Sequence, residues 1–408
     1  MMTYNTGYDL LSPEYIANTE QILKDLVRGQ HRIARATLHG QAVYIVADFS
    51  LAKQIFEDSK NFAIAATELS NVKTLTEGTQ AYVEEGLDSP LASAAYNDYK
   101  ETRKNFNQAM KHAYTDRSGV VDQRARQHID TLLGRISGGT VDAVTLCRQY
   151  WLPLMAEVIG VASLPLAELS LLMQCARTLV QGNGLLGDRS AIAQLTQAHR
   201  TVIELITRVI TSGTVPAESA LGYLLKRLDT PAAIDITRAF ILGGIDTGGG
   251  ALALQTHLLA SHAEQRRQFL QLSASEQQNA MLELVAKEAP AYYSPRFALQ
   301  DINIAGVDIP AGSFIQLASY AFNHCANPDF DIRRTDKSTC PMHRQETFPF
   351  GHARHKCPGE ILSRRLGAIF LNGLFGRYPA IAVKSYQREP DSFSRSIREL
   401  TLSIDAMD

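Results

Sequence analysis

The run Phe348-Pro349-Phe350-Gly351-His352-Ala353-Arg354-His355-Lys356-Cys357-Pro358-Gly359 concentrates more reactive chemistry than any other stretch of the chain. It is turn-rich and polar, and it carries one thiol near its end. An amphipathic segment follows from Glu360 to about Phe375, with Leu362, Leu366, Ile369, Phe370 and Leu374 at helical spacing. Pro358 suits the first turn of that helix, where a missing N–H costs nothing. Cys357 is therefore expected at or just before a helix N-terminus. There, free backbone N–H groups, the helix dipole and the nearby Arg354 and Lys356 favour thiolate over thiol. A thiolate so held is a nucleophile or a metal ligand. Two plainer readings compete. One is a buried loop cysteine. The other is a zinc site, because Cys340, His343, His352, His355 and Cys357 lie close together, although their spacing departs from paired-cysteine patterns.

Other candidates stand singly. Asp246-Thr247 interrupts an otherwise apolar, glycine-rich segment, Ile241-Leu242-Gly243-Gly244-Ile245-Asp246-Thr247-Gly248-Gly249-Gly250. Each glycine costs a helix interior about 0.8–1 kcal/mol relative to alanine. The segment is thus either a loop between two helices or one long helix that bends and admits something close to its backbone. Tyr99 and Arg103 are four residues apart on a polar helical stretch, so they share a face. A guanidinium is the natural partner of a carboxylate, and a solvated helix face is the bland alternative.

These groups need elements to hold them. Residues 13–29 read as a helix, 31–48 as a hairpin, and 50–59 as a short helix. Residues 63–95 read as a long connection of the kind that covers a site. Residues 96–113 and much of 120–213 read as packing helices, with 170–200 covering a pocket. Asp229-Thr230-Pro231 is a helix start, and that helix is expected to run to about His262. Ser275-x-x-Gln278 reads as a capping box opening a helix that ends near Pro290. Ile302–Ile304 and Phe314–Phe322 read as strands about a turn, and Phe393–Ile404 ends in strand-like alternation.

The 408 residues are 45% hydrophobic and 20% charged, with net charge −2. That is ordinary for a globular protein and points to neither nucleic acid nor an anionic membrane as main partner. No long apolar run occupies the first thirty residues, so neither signal peptide nor membrane anchor is expected. Five scattered cysteines fit reduced thiols in a cytoplasmic protein.

Phe350 with Cys357 seven residues on, Gly359 after it and His355 before it, resembles the haem-thiolate loop of the cytochrome P450 family. Gly244-x-Asp246-Thr247 resembles the family's oxygen-activating segment, and the spacing after Pro290 is also similar. Two departures stand out: Ala353 where members usually carry glycine, and Ala286 in place of the arginine of Glu283-x-x-Arg. The resemblance covers nearly the whole chain, 1–408 read as one domain. It implies a mainly α, triangular domain with a small β region, and haem b (iron protoporphyrin IX) with Cys357 as metal ligand. Further cofactor contacts come from Phe350, Gly351 and Gly244, and Arg103, Arg296, His355 and Tyr99 face the propionates. Thr247 and Asp246 are the implied proton-handling pair. The implied activity is O2-dependent oxidation, expected to be hydroxylation, of a small organic substrate, free or carrier-bound, in specialised metabolism. Ferredoxin and ferredoxin reductase are the implied electron donors, docking on Arg354, Lys356, Arg364 and Arg365. Oxidative coupling on the same haem, and a haem-binding protein with little oxygenase activity, are the alternatives. Expected pocket residues are 65–95, 170–200, Ile241, Gly244, Tyr292, Tyr293, Ser294 and Phe393–Ser396. The lost arginine at Ala286 leaves Glu283 to Lys287 along the helix, or to Arg333 or Arg334.

Overall fold

The computed structural model describes residues 4–29, 31–69, 77–85, 87, 96–182, 189–334 and 347–404. After β1 (Tyr4–Asp9), Ser12 caps α1 (Pro13–Arg28), its side chain accepting from the Tyr15 N–H with Pro13 in the first turn. β2 (Ile33–Leu38) and β3 (Gln41–Val46) pair antiparallel. Their two-residue turn is His39-Gly40, both at positive φ (51° and 75°), which matches the twist of a tight hairpin. Asp48 caps α2 (Phe49–Glu57). β4 (Phe62–Ala63) and α3 (Glu77–Glu84) lie within the long connection, which therefore carries structure of its own.

The helical body comprises α4 (Tyr96–Ala113), α5 (Ser118–Gly134), α6 (Ala143–Ile159, after β5, Thr140–Asp142), α7 (Leu166–Gln181), α8 (Arg189–Thr211) and α9 (Ala220–Leu225). Asp229 caps α10 (Thr230–Gly244), with Pro231 in its first turn as expected. The helix does not run unbroken to His262. It lapses at Ile245 and Asp246 and resumes as α11 (Thr247–Ser261), ten of whose fifteen residues are buried. α12 (Ala263–Gln271) leads to α13 (Ala274–Lys287). The capping box of α13 is Ser273 with Glu276, not Ser275 with Gln278. The extended backbone of Ser273 starts the helix two residues earlier, and the Glu276 carboxylate accepts from its N–H at 2.7 Å.

β6 (Ser294–Ala298), β7 (Ile302–Ile304), β8 (Val307–Ile309) and β9 (Phe314–Leu317) follow. β9 ends earlier than the sequence suggests. Its pairing with β3 and β6 stops at Leu317, and 319–326 forms α14 (Ser319–Ala326) against α1. α15 (Glu360–Arg377), β10 (Ala382–Arg388) and β11 (Ile397–Ser403) complete the chain. The larger sheet has order β1-β2-β3-β9-β6-β4, a smaller one β10-β11-β5, and β7-β8 stand alone. The protein is thus mainly helical with a small β region. Among the described residues no helix is long and apolar enough to cross a membrane.

Candidate functional site

α15 begins at Glu360 with Gly359 as its first flanking residue, so Cys357 sits just before a helix N-terminus. The loop before it is folded back on itself. The Cys357 N–H donates to the Phe350 carbonyl at 2.8 Å, and the Gly351 N–H to Phe348 at 3.1 Å. Gly351 holds φ +73°, a conformation that favours glycine. Ala353 holds φ +55°, so at the position where glycine was expected the loop keeps a left-handed backbone and a side chain bears it.

The Cys357 side chain is exposed and lines a cavity of about 470 Å³. Desolvation there raises its pKa; the Gly359 N–H, Arg103 and Lys356 pull the other way. The metal-free thiol is therefore held protonated more firmly than the helix terminus alone suggests. A metal taking this ligand displaces the proton.

The break between α10 and α11 forms another wall of the same cavity, through Gly243, Gly244, Thr247 and Gly248. A Cβ on Gly243 would meet nothing within 4 Å, whereas one on Gly244 would lie 2.8 Å from the Met155 Cε. The opening to a bound group is thus at Gly243, and Gly244 is small because α6 packs behind it. The Thr247 hydroxyl donates to the Gly243 carbonyl. The Asp246 carboxylate is clasped by Arg177 of α7, with Nε–Oδ2 3.0 Å and Nη2–Oδ1 2.7 Å. Arg177 and Trp151, whose indole Nε1 donates to the Gly244 carbonyl at 2.7 Å, were not singled out in the sequence. Nothing local to 241–250 points to them.

Tyr99 and Arg103 do share a face of α4, and both reach the cysteine loop. The Tyr99 hydroxyl donates to the Arg354 carbonyl and Arg103 Nη2 to the Lys356 carbonyl, each at 2.7 Å. The ring of Tyr99 lies 4.7 Å from that of His355 and under the Arg354 guanidinium. Arg296, on β6, is 4% exposed. It donates to the Pro295 carbonyl and lies over Phe56, with no carboxylate partner among the described residues. Burial pushes its pKa down to about 10. A buried guanidinium without a counter-charge calls for an acid from outside the chain.

A haem therefore finds a thiol, an open glycine face and an orphaned buried cation. The propionate candidates Arg103, Arg296, Tyr99 and His355 stand off the cavity wall itself. Phe350 lines it, while Gly351 acts through the turn that it permits. Cys340 and His343 lie outside the described residues. His352 turns to Glu57 at 2.8 Å, and no group of three metal-ligating side chains occurs among the described residues.

The remaining lining is mostly apolar, with Ile64, Tyr82, Leu87, Val180, Phe106 and Phe240, and includes the polar Ser363. Ile64, Tyr82, Leu87, Leu179 and Val180 come from, or directly adjoin, the expected covering segments; 70–76, 86, 88–95 and 183–188 lie outside the described residues. Tyr292, Tyr293, Ser294 and Phe393–Ser396 do not line the cavity. Tyr293 hydrogen-bonds Tyr15, Tyr292 lies against Arg395, and Ser294 bonds Ser319. Ile241 is fully buried and faces away from it.

Behind the cysteine loop, Glu283 of α13 is 2% exposed and accepts from Arg334 Nε and Asn327 Nδ2, each at 2.9 Å. Arg333 turns instead to Gln271. Lys287 does not pair with Glu283; its Nζ donates to the carbonyls of Asn327 and Pro328 at 3.0 and 2.9 Å. Ala286 is buried to 1% exposure. The basic residues around the cysteine are partly paired: Lys356 and Arg364 share Glu360, and Arg365 pairs with Asp122.

No family model matches the chain. It is 28% identical over 209 residues to the 6-deoxyerythronolide B hydroxylase of Saccharopolyspora erythraea, a match spanning 48% of this chain and 50% of that protein. It is 26% identical over 368 residues to cytochrome P450 FAS1 of Rhodococcoides fascians, covering 85% of each. Among solved structures, P450BioI in complex with a fatty-acyl-ligated acyl carrier protein superposes with TM-score 0.80 at 20% identity, over 96% of this chain and 99% of that one. Epothilone D-bound cytochrome P450epoK gives TM-score 0.77 at 18% identity, over 97% and 98%.

Proposed function

We propose, from the premise that the chain belongs to the cytochrome P450 family, which carries haem, that it hydroxylates a neutral, largely apolar organic substrate. The observation that carries this reading is that Cys357, Gly243 and Thr247 line one cavity whose described wall bears no charged side chain. The balance is that of a monooxygenase: substrate, O2, two electrons and two protons give hydroxylated substrate and water. Bound haem supplies the binding and reductive activation of O2, and the thiolate ligand favours O–O cleavage. Everything else is asked of the chain.

Cys357 supplies the ligand sulfur, kept in place by the Phe350 carbonyl and the Gly359 N–H. Arg296 supplies a buried positive charge for a propionate, with Arg103, Tyr99 and His355 nearby on α4 and the loop. Thr247 holds a hydroxyl at the cavity wall, on the Gly243 carbonyl, where it can pass a proton inward. Asp246 is the adjoining acid, and its clasp by Arg177 orients it toward α7. The apolar wall orients the substrate and excludes water.

A ferredoxin with its reductase is the electron source that we infer for this form of enzyme. Lys356, Arg364 and Arg365 share two carboxylates, Glu360 and Asp122, so with Arg354 the patch keeps a net positive charge, and docking is expected to weaken as ionic strength rises. Similar proteins include a 6-deoxyerythronolide B hydroxylase and a structure in complex with a fatty-acyl-ligated acyl carrier protein, which supports an organic substrate that is free or carrier-bound.

The test is to screen the haem-loaded protein for spectral shifts with macrolide-like and fatty-acyl compounds, each free and carrier-linked, then to follow turnover by product mass. Gain of one oxygen atom supports hydroxylation; loss of two hydrogens without oxygen gain would replace it with oxidative coupling. Thr247→Ala should keep haem and ligand binding but divert electrons to peroxide. Unchanged coupling would move the proton role elsewhere.

A further inference from the structure

Where a helix stops, its last carbonyls lose their in-helix donors and need others. α10 stops at Gly244. The Gly243 carbonyl takes the Thr247 hydroxyl, a bond within the segment. The Gly244 carbonyl takes the indole N–H of Trp151, which comes from α6, 93 residues earlier in the chain. Trp151 has one donor and spends it here.

The glycines report the same contact. A Cβ on Gly248 would lie 2.1 Å from the indole Cε2 and Cζ2, a separation that real atoms do not tolerate. Gly249 is 3.5 Å from the Trp151 Cβ by the same measure, and Gly244 abuts Met155, one turn further along α6. One helix thus presses against the backbone of this segment, and Gly248 is the position where a side chain would displace the indole. Trp151 itself is 3% exposed and forms part of the cavity wall.

We propose that Trp151 is a positioning residue for the oxygen-activating segment: its indole holds the Gly244 carbonyl and fills the groove left by Gly248, and so fixes the break that sets Thr247 at the cavity and Asp246 beside it, on Arg177. The bond closes a carbonyl that would otherwise attract water at the point where proton delivery has to be controlled. The ring also prevents the segment from relaxing into a continuous helix, because straightening would carry Gly248 past it. This rests on the proton role given to Thr247 and Asp246 above, but the positioning itself can be read without turnover.

Trp151 is the chain's single tryptophan, so its fluorescence reports on the cavity wall alone. Hydrogen exchange of the 241–250 amides should be at least tenfold faster in Trp151→Phe than in wild type, in both the haem-free and haem-loaded protein. Haem content and ligand affinity should change less than twofold. In the loaded enzyme, product per electron pair should fall severalfold and peroxide should rise. Gly248→Ala should disturb the same amides and shift the Trp151 emission, and Gly248→Ala in a Trp151→Ala background should be no worse than Trp151→Ala alone. Unchanged exchange and unchanged coupling in Trp151→Phe, or strictly additive losses in the double variant, would overturn the proposal. If exchange accelerates while wild type shows no oxygenation of any ligand, positioning stands and the monooxygenase reading falls.

Discussion

The two sides of the cavity are held by opposite strategies. On the side of Asp246 and Thr247, the backbone is broken and its carbonyls are satisfied by side chains, with one partly exposed ion pair to Arg177. On the side of Cys357, helix α13 is intact and its charged residues clamp a distant segment: Glu283 holds Arg334 and Asn327, and Lys287 holds two carbonyls of the same turn. The first arrangement orders a few groups at little cost in stability. The second fastens 326–334 to the body of the protein behind the ligand loop. Damage to the first should appear in the fate of electrons, and damage to the second in folding and haem retention.

The largest effect is therefore expected from Glu283→Ala. Removing the buried carboxylate takes away the acceptor shared by Arg334 Nε and Asn327 Nδ2 and costs about 3–5 kcal/mol. Urea unfolding and haem content measure it. The sequence alone left room for a milder outcome had Lys287 been the partner. The bonds to Arg334 and Asn327 remove that reason, so a loss below about 1 kcal/mol would dissolve the contrast between the two sides.

Next is Arg296→Ala, which deletes a charge-assisted propionate contact and should weaken haem binding by about 1.5–3 kcal/mol, read by haem transfer to apomyoglobin. Full retention would leave this buried cation without a role.

Lys287 gives a pH-dependent effect. Burial, with Lys24 adding to it and Glu288, Cys325 and Asp329 opposing, brings its pKa from 10.5 down to about 8. The folded state therefore releases this proton first. The cost of burying the charge is present in full below about pH 8 and is relieved as pH rises toward 10.5. Wild type should gain stability relative to Lys287→Met between pH 8 and 10, seen as a growing difference in Tm. A constant difference would mean that the two carbonyls hold the ammonium charged throughout.

The smallest effect is Ala353→Gly. The φ of +55° strains alanine by about 1–2 kcal/mol, partly offset by the greater freedom of glycine when unfolded, about 0.4–1 kcal/mol. A net gain of up to about 1 kcal/mol is expected in chemical denaturation, and a loss would show that the loop relies on the methyl group.

What the sequence disclosed follows the same division. Cys357 with its turn, the Asp246-Thr247 break and the Tyr99/Arg103 face are local patterns, each contained within about a dozen residues; Cys357 and Thr247 line one cavity, and Tyr99 and Arg103 hold the backbone of the cysteine loop. The helix ends at Pro13 and Asp229 and the His39-Gly40 hairpin are likewise local chemistry. Trp151 and Arg177 lie 93 and 69 residues from their partners, and Asn327 and Arg334 lie 44 and 51 residues from Glu283. No periodicity encodes such pairs; only packing selects them. The tyrosines at 292 and 293 failed as pocket residues for the complementary reason. They follow α13 closely in sequence, but Arg395 and Tyr15 draw them into the structural core.

The claim on which everything depends is that Cys357 ligates the haem iron. The direct measurement is the absorption spectrum of the reduced, carbon-monoxide-bound protein beside its Cys357→Ser and Cys357→His variants. Wild type should show the red-shifted Soret band of thiolate ligation, and both variants should lose it while retaining secondary structure. A wild-type band at the unshifted position, or a shifted band that survives either substitution, would contradict the account.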